Sequence, residues 1–148
     1  MWMQNDDIKK EGMNIFMKNL APFISCFASF IPRTYKDGDY LTVGGKILDH
    51  LQFPDIDNKG TQEYILLDDG SENIRAFVYT KFIEDLEIIK PGEVVLISGI
   101  LSILFDPFEK KEEITITGTK ISKLQDVILK NQNIIGQKKV DEAEQEDE

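Results

Sequence analysis

The spacing of apolar residues changes character along the chain, and each change marks an element. Near the start, Ile8, Ile15, Phe16 and Leu20 form a partial helical stripe, broken by Gly12 and halted before Pro22. This predicts a helical or loose extension over residues 1–22. Pro32 and Lys36-Asp37-Gly38 then read as turn chemistry. From Tyr40 a run of strands begins. The first covers Tyr40 to Leu48 with Gly44-Gly45 in its middle, and glycines inside a strand mark a bulge or bend. A polar loop from Phe53 to Gly60 follows. A second strand over 62–67 leads into the hairpin turn Asp68-Asp69-Gly70-Ser71, and a third alternates from Asn73 to Thr80.

Phe82, Ile83, Leu86 and Ile89 fall at helical spacing, which predicts a short helix or turn between Lys81 and Lys90, ended by Pro91-Gly92. A long apolar strand runs from Glu93 to Leu104 around Gly99. A loop over 105–110 precedes a fifth strand from Glu113 to Thr119. The period then returns to helical. Ser122 with Gln125 matches a capping box, and Leu124, Val127 and Ile128, with Ile134 and Ile135 two turns on, form one apolar stripe ending near Gly136.

Five short strands, a connection before the fourth, and glycines within strands one and four describe an OB-fold: an all-β, five-stranded partly open barrel with helical additions. An SH3-like barrel is the alternative, but it has no need of the helical connection. The expected organisation is an N-terminal extension over 1–22, the barrel over 23–121, a C-terminal helix over 122–136 and a tail over 137–148.

Charge refines this picture. The formal net charge is −10, yet six acids and no base stand in the last eight residues, leaving 21 acids against 17 bases in the rest. The tail repels itself and has little to bury, so it is expected to be disordered and to serve solubility first. A mildly acidic body excludes a generic phosphate-coating role, because that role needs clustered Lys and Arg. The acidic N-terminus does not read as a signal peptide, and no apolar run approaches the ~20 residues of a membrane-spanning helix. An intracellular chain without membrane partners is expected.

Catalytic and cofactor chemistry find no foothold. One cysteine, Cys26, and one histidine, His50, give neither a disulfide nor a metal set nor a nucleophile–base pair. Cys26 reads as structural and His50 as an ordinary residue of the barrel rim. Asp68-Asp69 reads as turn before it reads as paired carboxylates. Binding chemistry is better represented. Period-two spacing puts Arg75, Phe77 and Tyr79 on one face of strand three, with Lys81 at its end, and Ile74, Ala76 and Val78 on the other. The first set can stack bases and meet phosphate, with Lys110 and Lys111 added from the loop after strand four; equally, the aromatics could cover the barrel or a partner. The C-terminal stripe of Leu124, Val127, Ile128 and Ile135 suits docking on a partner, the alternative being that it folds back over the barrel.

Certain segments resemble a known family. These are Leu41-Thr42-Val43-Gly44-Gly45-Lys46-Ile47, Phe77 to Glu84, Pro91 to Leu101 and the helix from Ser122 to Gln132. Together they resemble the small single-OB subunits of replication protein A-like complexes, most nearly the smallest subunit of the telomere-capping CST complex. Tyr64 to Gly70 is also similar to the middle subunit of replication protein A and its telomeric relative. The extension, the acidic tail and the loop from Phe53 to Gly60 depart from both patterns. The resemblance implies a nuclear, telomeric, non-catalytic subunit without cofactor. It would pair through its C-terminal helix with a second OB-fold subunit and join a larger OB-fold subunit that grips single-stranded DNA, touching DNA weakly or indirectly itself. An autonomous single-strand binder is the other expectation.

Overall fold

The computed structural model describes residues 5–55 and 60–132. Five strands, β1 (Tyr40–Asp55), β2 (Gly60–Asp68), β3 (Asn73–Tyr79), β4 (Val94–Asp106) and β5 (Lys111–Lys123), close in the order β1-β2-β3-β5-β4. Every pairing is antiparallel except β3 with β5, which is parallel over Arg75–Val78. This is the five-stranded Greek-key barrel of the OB-fold.

Closure depends on β1, which is twice as long as its apolar pattern suggests. Its first half pairs with β4 and its second with β2, and Lys46 faces both Val94 and Asp68. The bend carries a bulge between Ile47 and Asp49. The expected glycines stand at such features, Gly44-Gly45 just before the bend and Gly99 at the register shift with β5, and they also allow close approach. A Cβ on Gly45 would lie 2.6 Å from the Asp68 carbonyl oxygen, and one on Gly99 would overlap that of Thr117, beside the β4–β5 register shift.

Inward residues alternate as a barrel demands: Ile65 and Leu67, Ile74, Ala76 and Val78, Ile97 and Leu101, and Ile114 and Ile116 are all buried. One end of the barrel is closed by Ala28 and by Ile31 of the one-turn helix α2 (Ile31–Thr34), from the stretch before β1. That stretch is fixed by Asp69, which is fully buried. Asp69 Oδ2 accepts from the Ala28 backbone N–H (2.6 Å), and Oδ1 from the Ser71 N–H, the Ser71 hydroxyl and the Glu72 N–H. The turn reading of Asp68-Asp69 is thus realised, with Asp68 accepting from the Gly70 N–H at 2.9 Å. Cys26 packs against the same core, half-buried. Burial, and then the nearby Asp69 carboxylate, raise its thiol pKa.

The opposite end is closed by Ile83 and Ile89. Of the short helix or turn expected between β3 and β4, the turn is what forms, as two 3-10 turns, Thr80–Phe82 and Leu86–Ile88. The reason is geometric. Six residues along an α-helix rotate a side chain by roughly 240°, so a continuous helix could not aim both Ile83 and Ile89 into the barrel. The Asp85 carboxylate stabilises the second turn by accepting from the Glu87 N–H at 3.0 Å.

The extension is helical, α1 (Asn5–Leu20), and its end packs on the outside of β1 and β4. The approach is close because position 44 lacks a side chain: a Cβ there would lie 2.8 Å from both Leu20 and Leu96. Strand β5 runs on through Ser122 and Lys123, pairing with Leu96 and Val95, so the C-terminal helix (α3, 124–132) starts at Leu124, later than the Ser122 cap predicts. Its expected end at Gly136, and the tail over 137–148, lie outside the described residues.

Asp69 accepts four hydrogen bonds, three of them from backbone N–H groups. Asp69→Ala is expected to lower the unfolding free energy by about 3 kcal/mol, because buried N–H groups left without an acceptor cost ~1–3 kcal/mol each. Urea denaturation of the two proteins checks this, and Asp69→Asn should fall between them.

Candidate nucleic-acid interface

The outer face of β2 and β3 is where the sequence places a stacking surface, and the side chains there lie as expected. Arg75 is exposed, Phe77 and Tyr79 are half-buried, and Ile74, Ala76 and Val78 fill the interior. Register extends this face beyond strand three. Phe77 is opposite Tyr64 on β2, and Tyr64 is opposite Leu51 on β1; Tyr79 is opposite Gln62, and Gln62 opposite Phe53. The Tyr64 and Phe77 rings are 5.3 Å apart and tilted by 54°. Leu51, Phe53, Gln62, Tyr64 and Phe77 line an open apolar depression.

Beyond the depression, the Tyr79 and Phe82 rings meet edge-on at 6.1 Å. Lys81 Nζ lies 5.7 Å from the Tyr79 ring centroid and 5.2 Å from that of Phe82, within cation–π range of both. One end of the face therefore offers flat rings with an ammonium group beside them, a surface able to stack bases or hold any apolar, planar group.

The other end is different. Arg75 and Lys111 line a shallow trough with Glu72, Glu112 and Glu113, below the β4–β5 turn. Arg75 Nη1 is 3.3 Å from Glu113 Oε2, and Lys111 Nζ is 3.1 Å from Glu109 Oε2. Lys110 occupies a left-handed backbone position (φ 54°) in that turn. Phe105 and Phe108 are exposed on the same projecting hairpin. The expected cations are thus close by, but two of them have carboxylate partners.

The residues expected to dock a partner lie elsewhere. Leu124 is buried with Leu20 and Leu96, and Val127 and Ile128 pack half-buried against that cluster alongside Phe16, Phe23 and Val94. Much of the apolar stripe of α3 is therefore used within the chain, while Leu129 remains exposed. Ile135 lies outside the described residues.

His50, read from sequence as a rim residue, belongs to a polar cluster below the aromatic face. Glu63 points inward and is buried (1% exposed), and its carboxylate accepts from His50 Nε2 (2.5 Å), Gln52 Nε2 (2.9 Å) and Thr80 Oγ1 (3.0 Å). Thr61 Oγ1 donates in turn to Thr80 Oγ1 at 2.5 Å. Burial pushes the Glu63 pKa up, but the three hydrogen bonds and the nearby imidazole outweigh it and hold it below the ordinary value. The cluster ties β1, β2 and the end of β3 together beneath Leu51, Tyr64 and Tyr79. Among the described residues no group of three or more His, Cys, Asp or Glu could hold a metal ion.

Sequence reasoning missed Leu51, Phe53 and Tyr64. Tyr64 was within reach: the turn at 68–73 pairs Asp68 with Asn73, and counting back along both strands puts Tyr64 opposite Phe77.

No family model matches this chain, and no curated protein matches it. Among solved structures it is similar to a small single-stranded DNA-binding protein from Streptomyces coelicolor, at 10% identity and a TM-score of 0.47, over 60% of this chain and 95% of that one. It is also similar to two OBodies bound to hen egg-white lysozyme, at 15% and 17% identity and TM-scores of 0.47 and 0.44. These cover 70% and 69% of this chain and 94% of each OBody. At such scores the likenesses add nothing to strand order and register, which define an OB-fold protein on their own.

A carboxylate whose folded pKa is lowered stabilises the fold above its unfolded pKa, near about 4.3, and that contribution is lost as pH falls through the folded value. Glu63→Gln should therefore lower stability at neutral pH and flatten the loss of stability on acidification below about pH 4.3. Thermal melts of both proteins across the acid range check this.

Proposed function

We propose that this chain is a non-catalytic OB-fold subunit that takes single-stranded DNA on its β2–β3 face, weakly by itself, and works within a larger OB-fold complex. The observation that carries the reading is the outward row of Leu51, Tyr64 and Phe77, continued by Tyr79, Phe82 and Lys81. The half-buried rings of Tyr64, Phe77 and Tyr79 leave part of each surface open on this face, and a base stacked on one is worth ~1–3 kcal/mol. Weak binding follows from the charges. Two of the nearby cations already have carboxylate partners, and the rest of the trough is acidic.

A subunit of this kind suits the replication protein A-like and CST-like assemblies that the sequence resembles, with a place in the nucleus at telomeric single strands. The second OB-fold subunit would dock beside α3. Since Leu124 is already buried with Leu20 and Leu96, the helix offers that partner its outer side, with exposed Leu129 and the edges of Val127 and Ile128.

The test is a fluorescence-anisotropy titration of the purified chain with a short labelled oligonucleotide. Phe77→Ala and Tyr64→Ala are each expected to weaken binding by ~1–3 kcal/mol, while an exposed substitution such as Leu129→Ala leaves it unchanged. Equal binding by wild type and both aromatic variants would refute the reading. Tight, steeply salt-dependent binding by the isolated chain would instead make it an autonomous single-strand binder.

A further inference from the structure

The contact between Arg75 and Glu113 lies at the charged end of the proposed face, joining β3 to β5 where Arg75 and Thr115 are opposite each other. Arg75 precedes Phe77 by two positions on the same side of the strand, so the two are separated by roughly 7 Å of strand. A nucleotide stacked on Phe77 therefore has its linking phosphate within reach of the guanidinium. In the free protein that guanidinium is 3.3 Å from the Glu113 carboxylate. Both groups are partly exposed (50% and 31%), so their pairing is easily exchanged for another.

We propose that Glu113 is an internal competitor for the phosphate site, one that sets how strongly this face holds a single strand and how much salt affects it; this rests on the reading of the face as a DNA surface. The competition has a distinctive thermodynamic signature. A phosphate that binds Arg75 releases its counterion, but the displaced Glu113 carboxylate gathers a cation in return. Arg75 then adds almost nothing to the salt dependence of binding while Glu113 is present. Without the carboxylate it should add one full phosphate contact, a slope of about 0.7 for a single strand. Glu72 and Glu112, which line the same trough, keep the phosphate path acidic beyond Arg75. The strand is therefore confined to the aromatic end.

The experiment compares wild type, Glu113→Gln, Arg75→Ala and the double variant by oligonucleotide titration at several salt concentrations, with Phe77→Ala alongside. Both charged residues are at the surface, and far-UV circular dichroism and thermal melts verify folding. Glu113→Gln is expected to bind about 2- to 5-fold more tightly at low salt, with a slope steeper by about 0.7. Arg75→Ala, which leaves the Glu113 carboxylate unpaired beside the strand, should bind no more tightly than wild type, and the double variant should lose both gains. A gain that survives without Arg75 would be simple charge repulsion and would overturn the competition, as would unchanged affinity and slope in Glu113→Gln. In either case, wild-type binding that depends on Phe77 leaves the DNA reading standing. Absence of binding by wild type and Glu113→Gln, or binding indifferent to Phe77, would overturn that reading and the competition with it.

Discussion

Closing a sheet into a barrel requires tilted, staggered strands, and here one long, bent strand shared between two neighbours meets that constraint. Strand β1 meets β4 with its first half and β2 with its second, turning at Lys46. Position 45 must be bare because the Asp68 carbonyl comes too close for any side chain. The bend also decides where the candidate surface lies. Only the second half of β1 flanks β2, so Leu51 and Phe53 extend the aromatic face instead of lying under α1.

The same curvature explains the two ends of the barrel. Each is plugged by aliphatic residues from outside the sheet, Ala28 and Ile31 at one end and Ile83 and Ile89 at the other. Each plug is held by a carboxylate that caps backbone N–H groups, Asp69 for the first and Asp85 for the turn between Ile83 and Ile89. A third carboxylate, Glu63, gathers the side chains where β1, β2 and β3 converge. Acidic residues thus serve as internal fasteners in a chain whose surface is also acidic, and this leaves the outer face of β2 and β3 to depend on rings more than on positive charge.

What could be read from the sequence was local. Period-two alternation at Ile74, Ala76 and Val78 gave the inner side of β3, hence its outer side, and the Asp-Asp-Gly-Ser turn is where it was expected. What escaped depended on distant neighbours. Strand β1 was read as ending near Leu48 with His50 at its rim, because nothing local shows that His50 and Gln52 donate to Glu63, thirteen and eleven positions away. Phe82, Ile83, Leu86 and Ile89 allowed a short helix or a turn; the turn form was not decided locally, because it depends on Ile83 and Ile89 both pointing into the barrel. The stripe on α3 was legible as apolar; that α1 would cover Leu124 was not, because Leu20 lies about a hundred residues earlier in the chain.

The lone parallel pairing, Arg75–Val78 with Thr115–Gly118, has implications for how the barrel is assembled. The β1–β2, β2–β3 and β4–β5 pairs are hairpins of neighbouring strands, which can zip up early at small loop-closure cost. The β3–β5 seam and the β1–β4 seam join residues roughly forty to sixty positions apart, and loops of that length close slowly. Arg75 and Phe77 belong to the shorter of these two late seams. The row of Leu51, Tyr64 and Phe77 lies on the early β1–β2 and β2–β3 hairpins, whereas the Arg75–Glu113 contact forms only when the β3–β5 seam closes; a chain arrested before that stage would carry the rings without the paired charges at their end.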